Sequence, residues 1–98
     1  MKRCWVYILT NHYNGTLYTG VSSDISNRIH AHKSEVISGF SKSHKLHKLV
    51  YIEAFDSPNE AIRREKQIKK WKRDWKVKLI ESINPNWEDL ALSTDFLL

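Results

Sequence analysis

Five side chains have the types and spacing to do chemistry: Tyr7, Tyr18, Arg28, His32 and Glu65. Tyr7 and Tyr18 sit in the apolar runs "VYIL" and "LYTG", and their numbers differ in parity. Across an antiparallel hairpin with an even-length loop, such residues point to the same face of the sheet. Arg28 and His32 are four apart and share one side of a helix. Glu65 lies at the centre of a stripe formed by Ala61, Ile62 and Ile68. A carboxylate there is costly to bury unless it is paired, bound to a metal or open to a cleft. Phenol, guanidinium, imidazole and carboxylate together suit attack on a phosphodiester. That reaction needs a base for water, a cation for the phosphorane charge and a ligand for a metal. Each group also has a plainer reading. Glu65 and Arg28 could form a structural salt bridge, His32 could be a satisfied core histidine, and the tyrosines could simply pack.

The elements that must position these groups are visible in the pattern. Residues 4–10 and 16–22 read as strands, joined by a loop containing Asn14-Gly15, a hairpin signal. "SSDISNRIHAHKSEV" then predicts a helix from about Asp24 to about Ile37, capped by Ser22, Ser23 or Asp24. Ile25, Ile29 and Val36 form its apolar stripe, with His32 inside it and Arg28 at its edge. Gly39 marks the helix stop, and "LVYIEAF", 49–55, is a third strand. Ser57, Pro58 and Glu60 compose a capping box that opens the next helix. Trp71, Trp75, Leu79 and Ile83 recur every four residues, and the stripe changes direction near 69–72. Two helices, or one sharply bent, are expected over 59–84. The Trp71/Trp75 pair reads as core, with stacking on a base as the alternative. The stretch after Asn84-Pro85 has a short helical pattern at 87–92. The order strand, strand, helix, strand, helix, helix is an α+β layer with helices against a small sheet.

Charge narrows the partners. The 98 residues carry a formal net charge of +5 and a pI of about 9.4. Between Arg63 and Lys78, nine residues are Lys or Arg and only Glu65 and Asp74 are acidic. Such a face suits DNA or RNA, or is a solvated helix surface. The expected phosphate contacts are Lys33, Lys42, Lys69, Lys72, Arg73 and Lys76. Cys4 is alone, so no internal disulfide forms. The five histidines do not follow a recognised zinc-ligand spacing. No apolar stretch approaches the ~20 residues that cross a bilayer, and "MKRCWVYIL" is too short an apolar run for a signal peptide. A cytoplasmic protein without a membrane partner is the expectation.

The same residues resemble the GIY-YIG nuclease family, in particular its small stand-alone bacterial members. Val6-Tyr7-Ile8 and Tyr18-Thr19-Gly20 stand at the two signature tripeptides. "VSSDISNRIHAHK" looks like the segment with the catalytic arginine, which falls on Arg28, with His32 one turn on. "EAIRREKQIKKWKR" looks like the segment with the metal-binding glutamate, which falls on Glu65. The likeness covers roughly residues 4–80. It implies a three-stranded antiparallel sheet flanked by helices over residues 1–84, with 85–98 as a tail. It also implies hydrolysis of DNA phosphodiesters with one divalent metal, Mg²⁺ or Mn²⁺. On this implication Tyr7 activates or positions water, Tyr18 bonds the phosphate or the water network, and Arg28 stabilises the phosphorane. Glu65 holds the metal, and His32 is a proton donor or phosphate contact. Gly20 lets a nucleic-acid backbone approach. Branched, damaged or single-stranded DNA, as met in DNA repair, are the expected substrates. Two departures stand out: Val6 replaces the first glycine, and no Asn occurs about a dozen residues after Glu65, where the chain reads Trp75-Lys76-Val77-Lys78. Two other readings remain beside cleavage. One is a nucleic-acid-binding module that keeps the scaffold without catalysis. The other is an interaction domain that docks through Phe96-Leu97-Leu98.

Overall fold

A computed structural model of the chain describes residues 3–33 and 46–92. Strands β1 (Cys4–Thr10), β2 (Leu17–Ser22) and β3 (Lys48–Phe55) form an antiparallel sheet in the order β2-β1-β3. Helices α1 (Ile25–Lys33), α2 (Pro58–Lys69) and α3 (Arg73–Ile83) flank it, and a 3₁₀ turn follows at Leu90–Leu92. The α+β class and the element order are as the sequence predicts. The predicted end of α1 at Ile37, with Val36 and the stop at Gly39, lies outside the described residues.

The central strand is buried on both sides, which explains why "CWVYILT" is apolar almost throughout. Cys4, Val6 and Ile8 pack with Ala61 and Ile68 of α2, Ile80 of α3, and Trp87. On the other face Tyr7 and Leu9 pack with Ile25 and Ile29 of α1, and with Leu46 and Leu49. A β-bulge interrupts the β1–β3 pairing: Ile8 faces Tyr51, but Leu9 faces Leu49. Val50 is the extra residue, and it joins Tyr51 on the α2–α3 face.

The chain after α3 is built around that bulge. The buried Asn84 donates from Nδ2 to the Val50 carbonyl at 3.1 Å and to the Glu88 carbonyl at 2.8 Å. Its Oδ1 accepts from the Glu88 N–H at 2.9 Å. Asp89 Oδ1 accepts from the Leu49 N–H at 3.1 Å. Trp87 adopts positive φ (55°), is fully buried, and donates its indole N–H to Glu81 Oε2 at 2.8 Å. The short helix predicted at 87–92 is thus only the 3₁₀ turn, and Trp87 belongs to the core.

Local starts differ in how they are made. Asp24 caps α1 through its carboxylate, accepting from the backbone and the amide of Asn27 at 3.4 and 2.7 Å. At α2 the predicted capping box does not form. Ser57 makes no side-chain cap bond, and Pro58 at the first position opens the helix. α2 and α3 are two helices, separated at Lys70–Lys72. Ile62 is exposed rather than buried, and so are Trp75 and Ile83. The predicted stripe of Trp71, Trp75, Leu79 and Ile83 therefore splits: Trp71 and Leu79 are partly buried against the core, Trp75 and Ile83 are exposed, and α3 buries Ile80 fully.

Asn84→Ala removes a side chain that satisfies three backbone groups at once. The expected loss is about 2 kcal/mol, or roughly 8–15 °C in Tm, read by thermal denaturation followed by circular dichroism.

Candidate active site

The site is built outward from the Tyr7 hydroxyl. Tyr7 pairs across the strands with Gly20, and Tyr18 is the diagonal neighbour, opposite Leu9. Both phenols are on the α1 side of the sheet, as parity predicts, with ring centroids 6.4 Å apart and planes tilted by 40°. A Cβ added to Gly20 would lie 2.5 Å from both Cζ and Oη of Tyr7. The phenol therefore lies across Gly20, and only a residue without a side chain admits it. The space expected for an approaching nucleic-acid backbone is filled by the chain's own tyrosine.

Helix α1 supplies Arg28. Ile25 and Ile29 are buried against the sheet, and that anchors the helix while Arg28 is exposed. Among the described residues Arg28 has no ion-pair partner. An open depression of ≈ 540 Å³ lies beside it, walled by Val21, Ser22, Asp24, Asn27 and Ala31. Helix α2 supplies Glu65, whose side chain is only 14% exposed. Its ion pair is with Lys69, at 3.0 Å one turn on, and not with Arg28. The structural Glu65–Arg28 salt bridge is thereby set aside.

These groups act on one another electrostatically. The Tyr7 phenol is 1% exposed. Burial pushes its pKa far above the ordinary phenol range, Tyr18 and Glu65 push it further, and Arg28 pulls it down. One buried hydroxyl thus feels side chains from β2, α1 and α2. Among the described residues the ring contact is between Tyr7 and Tyr18, and Arg28 and Glu65 lie within electrostatic reach of Tyr7. The side chains of His32 and Lys33, and the whole of Lys42, lie outside the described residues.

The expected phosphate contacts divide. Lys72 is exposed and Lys76 half-buried. Lys69 is engaged by Glu65. Arg73 donates to the Asn14 carbonyl at 2.7 Å and to its Oδ1 at 3.2 Å, tying the start of α3 to the hairpin loop. Sequence reasoning missed a second polar group on the opposite face of the sheet. There Arg64 of α2 bonds Glu53 of β3 at 3.0 Å and sits 5.1 Å from the centre of the Trp71 ring. Burial, then Glu53, raises the Tyr51 phenol beside it, while Arg64 lowers it. Two adjacent arginines, Arg63 and Arg64, were the available signal; the register of β3 against α2 was not.

As for a metal, no three His, Cys, Asp or Glu side chains converge among the described residues. A single carboxylate, as at Glu65, suits an ion that keeps most of its water, as Mg²⁺ does with one or two carboxylates and a substrate phosphate. The chemistry of the donor set fits such an ion and not an all-protein cage. Among the described residues no helix is long and apolar enough to cross a membrane.

With the geometry in place, comparison with known proteins is direct. The family model described as the GIY-YIG catalytic domain matches residues 3–78. A UPF0213 protein of Staphylococcus saprophyticus is 39% identical over 80 residues, 82% of this chain and 96% of that protein. A UPF0213 protein of Syntrophus aciditrophicus is 40% identical over 86 residues, 87% of this chain and 97% of that one. The solution NMR structure of a UPF0213 protein from Bacillus halodurans matches with a TM-score of 0.57 at 32% identity. That match covers 94% of this chain and 98% of the other.

Gly20→Ala is expected to cost about 1–3 kcal/mol, because the Tyr7 ring has to move within a packed core. In a Tyr7→Leu background the penalty should shrink, a coupling that a double-mutant cycle measures by denaturant unfolding. Alkaline titration reports on Tyr7 and Tyr51 together. The unfolded chain releases phenol protons near pH 10, while the folded chain holds these two longer. Stability should therefore fall as pH rises above about 10 and through the folded pKa values. Tyrosinate absorbance should show these two phenols ionising above the pH at which free phenols do.

Proposed function

The chain belongs to the GIY-YIG family and has its nuclease fold, and on that premise we propose that it is a metal-dependent endonuclease hydrolysing DNA phosphodiester bonds. One observation carries the reading: the buried Tyr7 phenol lies within electrostatic reach of Tyr18, Arg28 and Glu65, which come from three different elements. Packing alone does not require a guanidinium and a carboxylate within electrostatic reach of one phenol.

Each residue then has a task. Arg28, exposed and with no described ion-pair partner, meets the phosphate and stabilises charge developing on the phosphorane. Tyr7 holds its proton at neutral pH, as any phenol does, and burial makes its phenolate harder still to form. It therefore orients the attacking water by hydrogen bonding, and the nearby Arg28 lowers the cost of moving a proton off it. Tyr18, half-buried at the rim, bonds the scissile phosphate or the same water. Glu65 is the metal ligand, held in place by Lys69. A bound Mg²⁺ or Mn²⁺ would supply Lewis-acid stabilisation of the phosphate and a more acidic water. His32 is assigned a proton-donor or phosphate-contact role from its place one turn after Arg28.

The test is a cleavage assay with Mg²⁺ or Mn²⁺ on single-stranded, duplex and branched DNA, with RNA as an added substrate. Wild type should cut at least one of these substrates. Glu65→Ala and Arg28→Ala should each lower the rate by at least about 100-fold, while DNA affinity, measured by anisotropy, stays within a few-fold. If every substrate stays intact with either metal but binding persists, the chain is a binding module on the nuclease scaffold.

A further inference from the structure

The outer side of the α2–α3 elbow carries a second surface with its own chemistry. Trp75 is 57% exposed, unusual for the largest side chain in a small domain. Its ring sits edge-on to Trp71, with centroids 5.8 Å apart and planes at 72°. Trp71 is in turn covered by the Arg64 guanidinium. Two shallow depressions meet at Trp71. One, of ≈ 420 Å³, is lined by Trp71, Trp75, Lys78, Leu79 and Ser82. The other, of ≈ 470 Å³, is lined by Arg63, Lys66, Gln67, Lys70 and Trp71. No carboxylate lines either one. Arg63, Lys66, Lys70 and Lys78 have no ion-pair partner among the described residues. On α2, Arg63 and Lys66 stand roughly 160° and 100° around the axis from Glu65, at ~100° per residue. The surface is therefore distinct from the Tyr7 site.

We propose that this elbow is a binding platform for single-stranded nucleic acid, with a base stacked on the Trp75 indole and the backbone held by Arg63, Lys66, Lys70 and Lys78. Charge selects the occupant. Four cations with no described carboxylate partner, beside an open aromatic face, fit a chain that alternates anionic phosphates with flat bases. A duplex hides its bases and offers nothing to the indole. An acidic peptide offers charge without a ring to stack. The platform does not depend on the cleavage reading, because stacking and phosphate contact require neither Glu65 nor a metal.

The test uses the full chain in EDTA, so that cleavage plays no part. The probes are a labelled ten-residue oligothymidylate, a duplex of equal length and poly-glutamate. Affinity is read by anisotropy and the site by the Trp75 indole N–H resonance. The oligothymidylate should bind and shift that resonance, with the duplex and the polypeptide shifting it little. Trp75→Ala should weaken oligothymidylate binding roughly tenfold or more, and Trp75→Phe should restore part of it. Lys66→Gln with Lys70→Gln should lower the slope of log affinity against log salt by about 0.7 for each charge removed. Trp75 is exposed, so its variants should keep the wild-type Tm, which is checked alongside. Equal binding by Trp75→Ala and wild type would overturn the proposal. So would an equal resonance shift with poly-glutamate, which would assign the elbow to acidic peptides.

Discussion

The placement of one phenol over one glycine governs the geometry of the site. Tyr7 can be both buried and central because Gly20 leaves the opposite strand bare beneath its ring. Once the ring lies there, its hydroxyl is held over Gly20 of β2 rather than free to follow solvent. Burial then holds the proton on the oxygen, and the surrounding charges set how firmly. A bulkier residue at position 20 would alter the distance from that oxygen to everything near it. In this chain the glycine of Tyr18-Thr19-Gly20 is thus a packing requirement: it makes room for the tyrosine of the neighbouring strand.

The same sheet shows how one local irregularity is absorbed. The bulge at Val50 leaves a carbonyl that β1 does not pair, and an orphaned buried carbonyl is expensive. Asn84 resolves this with its amide, and its other bonds fold the following chain back over the sheet. That return brings Trp87 under the hairpin loop, where its ring meets Tyr13 edge-on with centroids 5.6 Å apart. Arg73 reaches the same loop from the start of α3. The hairpin is therefore braced at its tip by two contacts with distant residues, while β1 holds its base.

Much of this was legible in the sequence because it is local. Strand composition, the Asn-Gly loop, the start of α1 at Asp24 and the break between α2 and α3 each depend on a few neighbouring residues. The candidate site residues stood out for a different reason: Tyr7, Arg28 and Glu65 are polar groups set among apolar ones. What escaped depends on long-range register. A four-residue repeat of Trp71, Trp75, Leu79 and Ile83 looks like a buried stripe, yet Ile80 faces the sheet and Trp75 faces water. Hydrophobicity alone cannot decide between two apolar faces of one helix. Trp87 looked peripheral because nothing nearby announces the bulge it covers. Ser57 has the right neighbours for a capping box, yet its helix starts on Pro58 without that bond.

The Asn84–Val50 bond has a consequence for how the chain comes into being. Synthesis delivers β1 before the other strands and helices of the sheet, with apolar residues on both faces. Its α1 side can be covered early, by Ile25 and Ile29. Its other side waits for Ile68, Ile80 and finally Trp87, and the bulge in β3 stays unsatisfied until residue 84 has left the ribosome. Contacts this distant in sequence are slow to close. A nascent chain stalled short of that point holds its most apolar strand half-covered, the state in which small sheets stick to one another and chaperones find them.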